Sequence, residues 1–164
     1  MKHRKRMAIL LICSAAPLAT AADLVSTRDI GMELARDLAS AAVIACRKKG
    51  FQVSAVVVDR HAQPRAELRD DLASRFTLQI AREKANAVIM AGVDSGRFVK
   101  NRQEIRAELN HVDGIIMLRG GLPIHAAGTR VGAIGVSGAP GGAQDESCAK
   151  AALEQYVERL EFAD

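Results

Sequence analysis

Lys84 stands where an ammonium is hard to place. It follows Phe76 and Ile80 at four-residue steps and precedes Val88 on the same apolar helical stripe. A cation there must snorkel to water, find an acid, or face a cavity. The groups that could join it in acid–base or anion-binding chemistry are Arg69, Asp70, Asp145 and Glu146. Arg102 and Arg106 raise a related point, because like charges four residues apart on a helix repel by about 0.2–0.5 kcal/mol. A shared anionic partner reverses that sign, while Glu104 and Glu108 would equally well screen the two arginines. Three histidines lie beyond the first 21 residues: His61 in a hairpin turn, His111 at a helix end beside Asp113, and His125 alternating with Leu122 and Ile124 in a strand. Each is a candidate imidazole donor to a metal, and sequence spacing does not choose among them.

Several familiar arrangements are near misses. The glycine-rich stretch from Gly132 to Gly142 runs from a strand into a helix, yet it matches neither the dinucleotide fingerprint nor the Lys-Ser/Thr phosphate loop. Asp145 and Glu146 follow in the first helical turn, where they complement the helix dipole themselves and would repel a phosphate. Ser137 falls short of the nucleophile elbow because Ala139 occupies the place of its second glycine. No Cys-x-x-Cys, Cys-x-x-Cys-His or His-x-x-x-His occurs, so structural zinc and covalently attached haem have no sequence support.

The elements that must position these residues begin after an address label. Lys2, Arg4, Lys5 and Arg6 precede an apolar run from Met7 to Leu18, and Ala19-Thr20-Ala21 supplies small residues for cleavage before Ala22. Residues 1–21 are thus expected to be a secretory signal and residues 22–164 a single domain. The apolar run is too short for a stable membrane anchor, and the expected location is periplasmic or secreted. The first 21 residues hold four of the 23 Lys+Arg and none of the 19 Asp+Glu, so the remainder is balanced and its charge argues against a nucleic-acid partner. Cys46 and Cys148 remain in a compartment that permits a disulfide; both fall in helical patterns and nothing in the spacing places them together.

Periodicity predicts a helix over 32–49, a β-hairpin over 52–70 turning at Arg60 to Gln63, a helix over 72–91 closed by Gly92, and a second helix over 95–111. Three short apolar runs follow, Ile115 to Leu118, Leu122 to Ala126 and Val131 to Val136, and then a last helix over 144–160. The order αββααβββα predicts an α/β domain of the α+β type, with one antiparallel sheet of about five strands flanked by helices.

At Gly120-Gly121-Leu122-Pro123-Ile124, at Val131 to Gly138 and at Gln144-Asp145-Glu146, the sequence resembles the GlcG/HbpS-like family, often described as haem-binding or haem-degrading domains. Ala81-Arg82-Glu83-Lys84-Ala85 looks like that family's Lys-Ala helix, and Arg69-Asp70 like its Arg-x-Asp pair. The resemblance implies a helix-flanked antiparallel sheet, assembly into homo-oligomers, and a small-molecule ligand. Haem or a related tetrapyrrole, held non-covalently, is the first candidate. His111 or His125 would then donate to iron, with His61 third, and Arg102, Arg106 and Lys84 would meet the propionates. The alternative is an enzyme or accessory protein acting on a small organic acid, using Arg69, Asp70, Lys84, Asp145 and Glu146.

Overall fold

The structure is a computed structural model that describes residues 25–162. The expected secretory signal, residues 1–21, lies outside the described residues. Helix α1 (Met32–Arg47) leads into the hairpin β1 (Ser54–Asp59) and β2 (Pro64–Arg69), then α2 (Phe76–Ala91) and α3 (Ser95–Asn101). A 3-10 turn (Gln103–Ile105), α4 (Arg106–Leu109), β3 (Gly121–Ala126), β4 (Thr129–Ser137), α5 (Gly142–Gln155) and α6 (Val157–Glu161) complete the order.

The sheet is antiparallel throughout, in the order β2-β1-β4-β3. All six residues of β1 are buried, which follows from its composition: a Val/Ala run without polar alternation suits a strand covered on both faces. Val53, Ala55, Val57, Ile134 and Val136 face α1 and α5, while Val56, Val58 and Ala133 face α2. Helix α2 sits unusually close to the sheet because β3 and β4 present glycines to it. A Cβ built on Gly135 would overlap the Ala81 carbonyl oxygen, and one on Gly121 would lie 2.5 Å from the Lys84 carbonyl oxygen. The buried stripe of α2 accordingly runs through Ala81, Lys84, Ala85 and Val88. Phe76, expected on that stripe, is instead exposed and lies under the Arg75 guanidinium, 4.2 Å from its ring centre.

The α+β class and its antiparallel sheet are as expected, with four strands where about five were predicted. The run Ile115 to Leu118 joins no ladder because its backbone is engaged locally: the Leu118 N–H donates to the Ile116 carbonyl and the Met117 N–H to Asn110 Oδ1. The helix expected over 95–111 is broken at Arg102, whose φ and ψ are −125° and 32°. Its first half starts on an Asp94 cap and is anchored by buried Phe98, packed with Ala87 and Met117. Its second half has no comparable anchor, since Ile105 is half-exposed and none of its residues is fully buried. The last helix breaks at Tyr156, after which Leu160 turns inward and accepts from the Ala127 N–H.

Candidate functional site

The choice left open for Lys84 is resolved by an acid. The side chain of Lys84 is 3% exposed; its Nζ donates to Asp145 Oδ2 at 2.6 Å and to the Val136 carbonyl at 3.0 Å. Asp145 is equally buried, and its second oxygen accepts from the Ala139 N–H at 3.0 Å. The pair therefore joins α2, the end of β4 and the first part of α5. Gly120 makes room for it: its φ is +128°, and a Cβ there would come within 2.9 Å of Lys84 Nζ, Asp145 Cβ and the Val136 carbonyl oxygen. The apolar neighbours and the short, satisfied contacts make this an internal ion pair with little of either charge left to offer a ligand.

The other expected residues divide among separate partners. Glu146, next to Asp145, points away from Lys84 and receives both arms of Arg119 at 2.7 and 2.8 Å. Arg69 does not reach this cluster; it donates to the Ala73 carbonyl. Asp70 is buried and grips the guanidinium of Arg47 through both oxygens, while the Asp71 N–H donates to it at 2.8 Å. The Arg47 hydrogen bond, opposed by burial and aided by the Asp71 N–H, holds the Asp70 carboxyl below the usual carboxylate range.

A native value below the unfolded one means that Asp70 contributes its full stabilisation above the ordinary aspartate value of 3.8. That contribution is lost as the pH falls through the lower native value. Urea unfolding of wild type and Asp70→Asn across the acid range is expected to show a shallower acid decline in the variant. Identical pH slopes would show that the Arg47 contact adds nothing.

Four clefts border α3 and α4. One of about 440 Å3 is lined by Met90, Val93, Phe98, Ile105 and Leu109, with Asn101 and Arg102 as its polar groups. It adjoins a smaller cleft that shares Asn101, Arg102 and Ile105 and adds Lys100. Neither the Lys100 nor the Arg102 side chain has a hydrogen-bond or ion-pair partner among the described residues. A polar cleft of about 460 Å3 lies between Asp94, Arg97, Lys100, Arg119 and Glu146. Arg106 faces elsewhere, lining a cleft with Asn110 and Ile116 and donating to the Met117 carbonyl at 3.2 Å. The helix break at Arg102 is thus what separates two arginines that a continuous helix would have stacked.

The histidines lie outside these clefts. His111 follows α4 and is exposed, His125 is exposed on the edge strand β3, and His61 is 3.9 Å from Asp29 in the hairpin turn. Among the described residues no three His, Cys, Asp or Glu side chains gather as a metal site, and no helix is long and apolar enough to cross a membrane. Sequence reasoning missed Arg47, Arg119 and Met90. For Arg47 the signal was a basic residue in the last turn of α1, and for Arg119 its position just before Gly120-Gly121. Met90 offered none, being one more apolar residue of α2.

A four-stranded antiparallel sheet with α2 on one face and α1 and α5 on the other, closed by a buried Lys–Asp pair across two glycines, defines a class of small α+β domains. The chain belongs to the family described as haem degrading protein HbpS-like, which it matches over residues 30–154. It is similar to the crystal structure of a double mutant of Streptomyces reticuli HbpS, with 34% identity, 87% of this chain and 97% of that one covered, and a TM-score of 0.76. Klebsiella pneumoniae ORFY shares the fold at 24% identity, with 85% of this chain and 98% of that one covered and a TM-score of 0.77. A PduOC–haem complex shares it at 21% identity, covering 77% of this chain and 94% of that one, with a TM-score of 0.70. No functionally curated protein matches the chain.

Proposed function

We propose that this is an exported protein that binds haem or a related tetrapyrrole non-covalently, in the cleft between the end of α2 and the α3–α4 segment. The observation that carries this reading is an apolar cleft of about 440 Å3 whose polar side includes Arg102, unpaired among the described residues, with Lys100 close by in the adjoining cleft. Its size falls in the range of small-ligand sites. Its lining suits an apolar macrocycle, and its cations suit propionates, which guanidinium groups bind with charge-assisted hydrogen bonds. Membership of an HbpS-like family supports the choice of ligand class. The Cys46–Cys148 disulfide supports the exported location, since such bonds persist in oxidising compartments.

Exposed Leu72 and Phe76 beside the edge strand β2 support the expectation of a homo-oligomer. A catalytic role on a small organic acid draws less support. Lys84 and Asp145 are engaged with each other, Asp70 with Arg47 and Glu146 with Arg119, so these candidates do not converge as a free acid and base.

Titration of the purified protein with haemin, followed by absorbance, tests the reading. Saturable one-to-one binding is expected, weakened by Arg102→Gln and left intact by Arg106→Gln. Haemin binding no better than that of an unrelated protein of similar size and charge would overturn it.

A further inference from the structure

We propose that Met90 is the axial donor to the iron when haem occupies this cleft, an assignment that rests on the ligand reading above. Side chains that hold haem iron are histidine, methionine, cysteine thiolate and tyrosine. The two cysteines among the described residues are joined to each other and buried, which removes both as thiolates. Tyr156, the chain's one tyrosine, lies at the break between α5 and α6 under the Arg159 guanidinium, 5.5 Å from its ring centre. None of His61, His111 and His125 lines the cleft. Met117 is 1% exposed and packed against Phe98 and Ala87 within the core.

Met90 is the one residue lining the cleft that belongs to this donor class, and at 54% exposed it is open to a ligand. It occupies the last turn of α2, which stops at Gly92 in the left-handed conformation (φ +73°). The chain turns away at that point, so no further turn of α2 extends along the cleft. Methionine is also unbranched and adaptable, so its sulfur can meet a ligand without backbone movement. Arg102, on the same cleft, supplies the charge that would fix the orientation of a dianionic macrocycle.

The test compares haemin complexes of the wild-type protein with those of Met90→Leu, Met90→His, His111→Ala and His125→Ala. Leucine conserves volume at a half-exposed position, so folding is preserved. Met90→Leu is expected to keep one-to-one binding, change the Soret and visible bands, and show a lower reduction potential, because a methionine ligand raises it. Met90→His is expected to convert the spectrum to an imidazole type. The two histidine-to-alanine variants are expected to match wild type. A Met90→Leu complex with an unchanged spectrum and potential, or the same spectral change in either histidine variant, overturns the assignment while leaving the ligand reading intact. Failure of every protein, wild type included, to bind haemin specifically overturns both.

Discussion

Asp145→Ala is expected to lower the free energy of unfolding by about 3–5 kcal/mol, the range for removing one partner of a buried ion pair. The variant leaves the Lys84 ammonium 3% exposed with only the Val136 carbonyl as a partner, and leaves the Ala139 N–H without its acceptor. Urea unfolding should therefore show a large fall in midpoint, and thermal unfolding a drop on the order of 10 °C. Combining Asp145→Leu with Lys84→Met is expected to recover much of the loss, because the desolvation of two charges disappears along with their attraction. The recovery also isolates the coupling between the two groups in a double-mutant cycle. Wild-type stability in Asp145→Ala would show that Lys84 reaches water and that the pair is not structural.

The second large effect concerns Cys46 and Cys148, whose Cα atoms are 5.4 Å apart and 102 residues apart in sequence. Closing a loop of that length restricts the unfolded chain by about 4 to 5 kcal/mol in the chain-entropy description. Replacing both cysteines by alanine is expected to cost about 4 kcal/mol, measured by urea unfolding against the oxidised protein. Both sulfurs are fully buried between α1 and α5, so part of this loss is packing. Coincident unfolding curves would mean that native strain offsets the entropy. Cys148 also lies one turn beyond Asp145 on α5, so this substitution and Asp145→Ala act on the same helix and should combine non-additively.

The class of fold was legible because its signals are local. The valine run of β1, the turn at Arg60 to Gln63 and Gly92 each act within a few residues, and each marks an element that the structure contains. The breaks at Arg102 and Tyr156 were not legible, since periodicity continues across both and the decision rests on which apolar residues find a surface. Lys84 could be recognised as misplaced on an apolar stripe, but its partner could not be chosen between Asp145 and Glu146. Choosing it requires the closeness of α2 to β4, and that closeness depends on Gly135 and Gly121 being opposite α2. Asp70 was found as a residue of interest and its partner was missed, because Arg47 comes from an element 23 residues earlier.

The order of strands also determines when the protein can finish folding. Each hairpin, β1 with β2 and β3 with β4, can pair as soon as its own short turn exists. The central ladder, from Ser54 opposite Ser137 to Asp59 opposite Gly132, must wait until nearly the whole sheet sequence is available. Non-local ladders of this kind slow folding, because loop closure precedes the contacts that reward it. Until that ladder forms, the valine-rich β1 has one open edge, and α2 and α5 lack the β4 surface on which they dock. The buried pair therefore arises with the final closure of the sheet, and a partly folded chain presents a sticky strand before that pair can form.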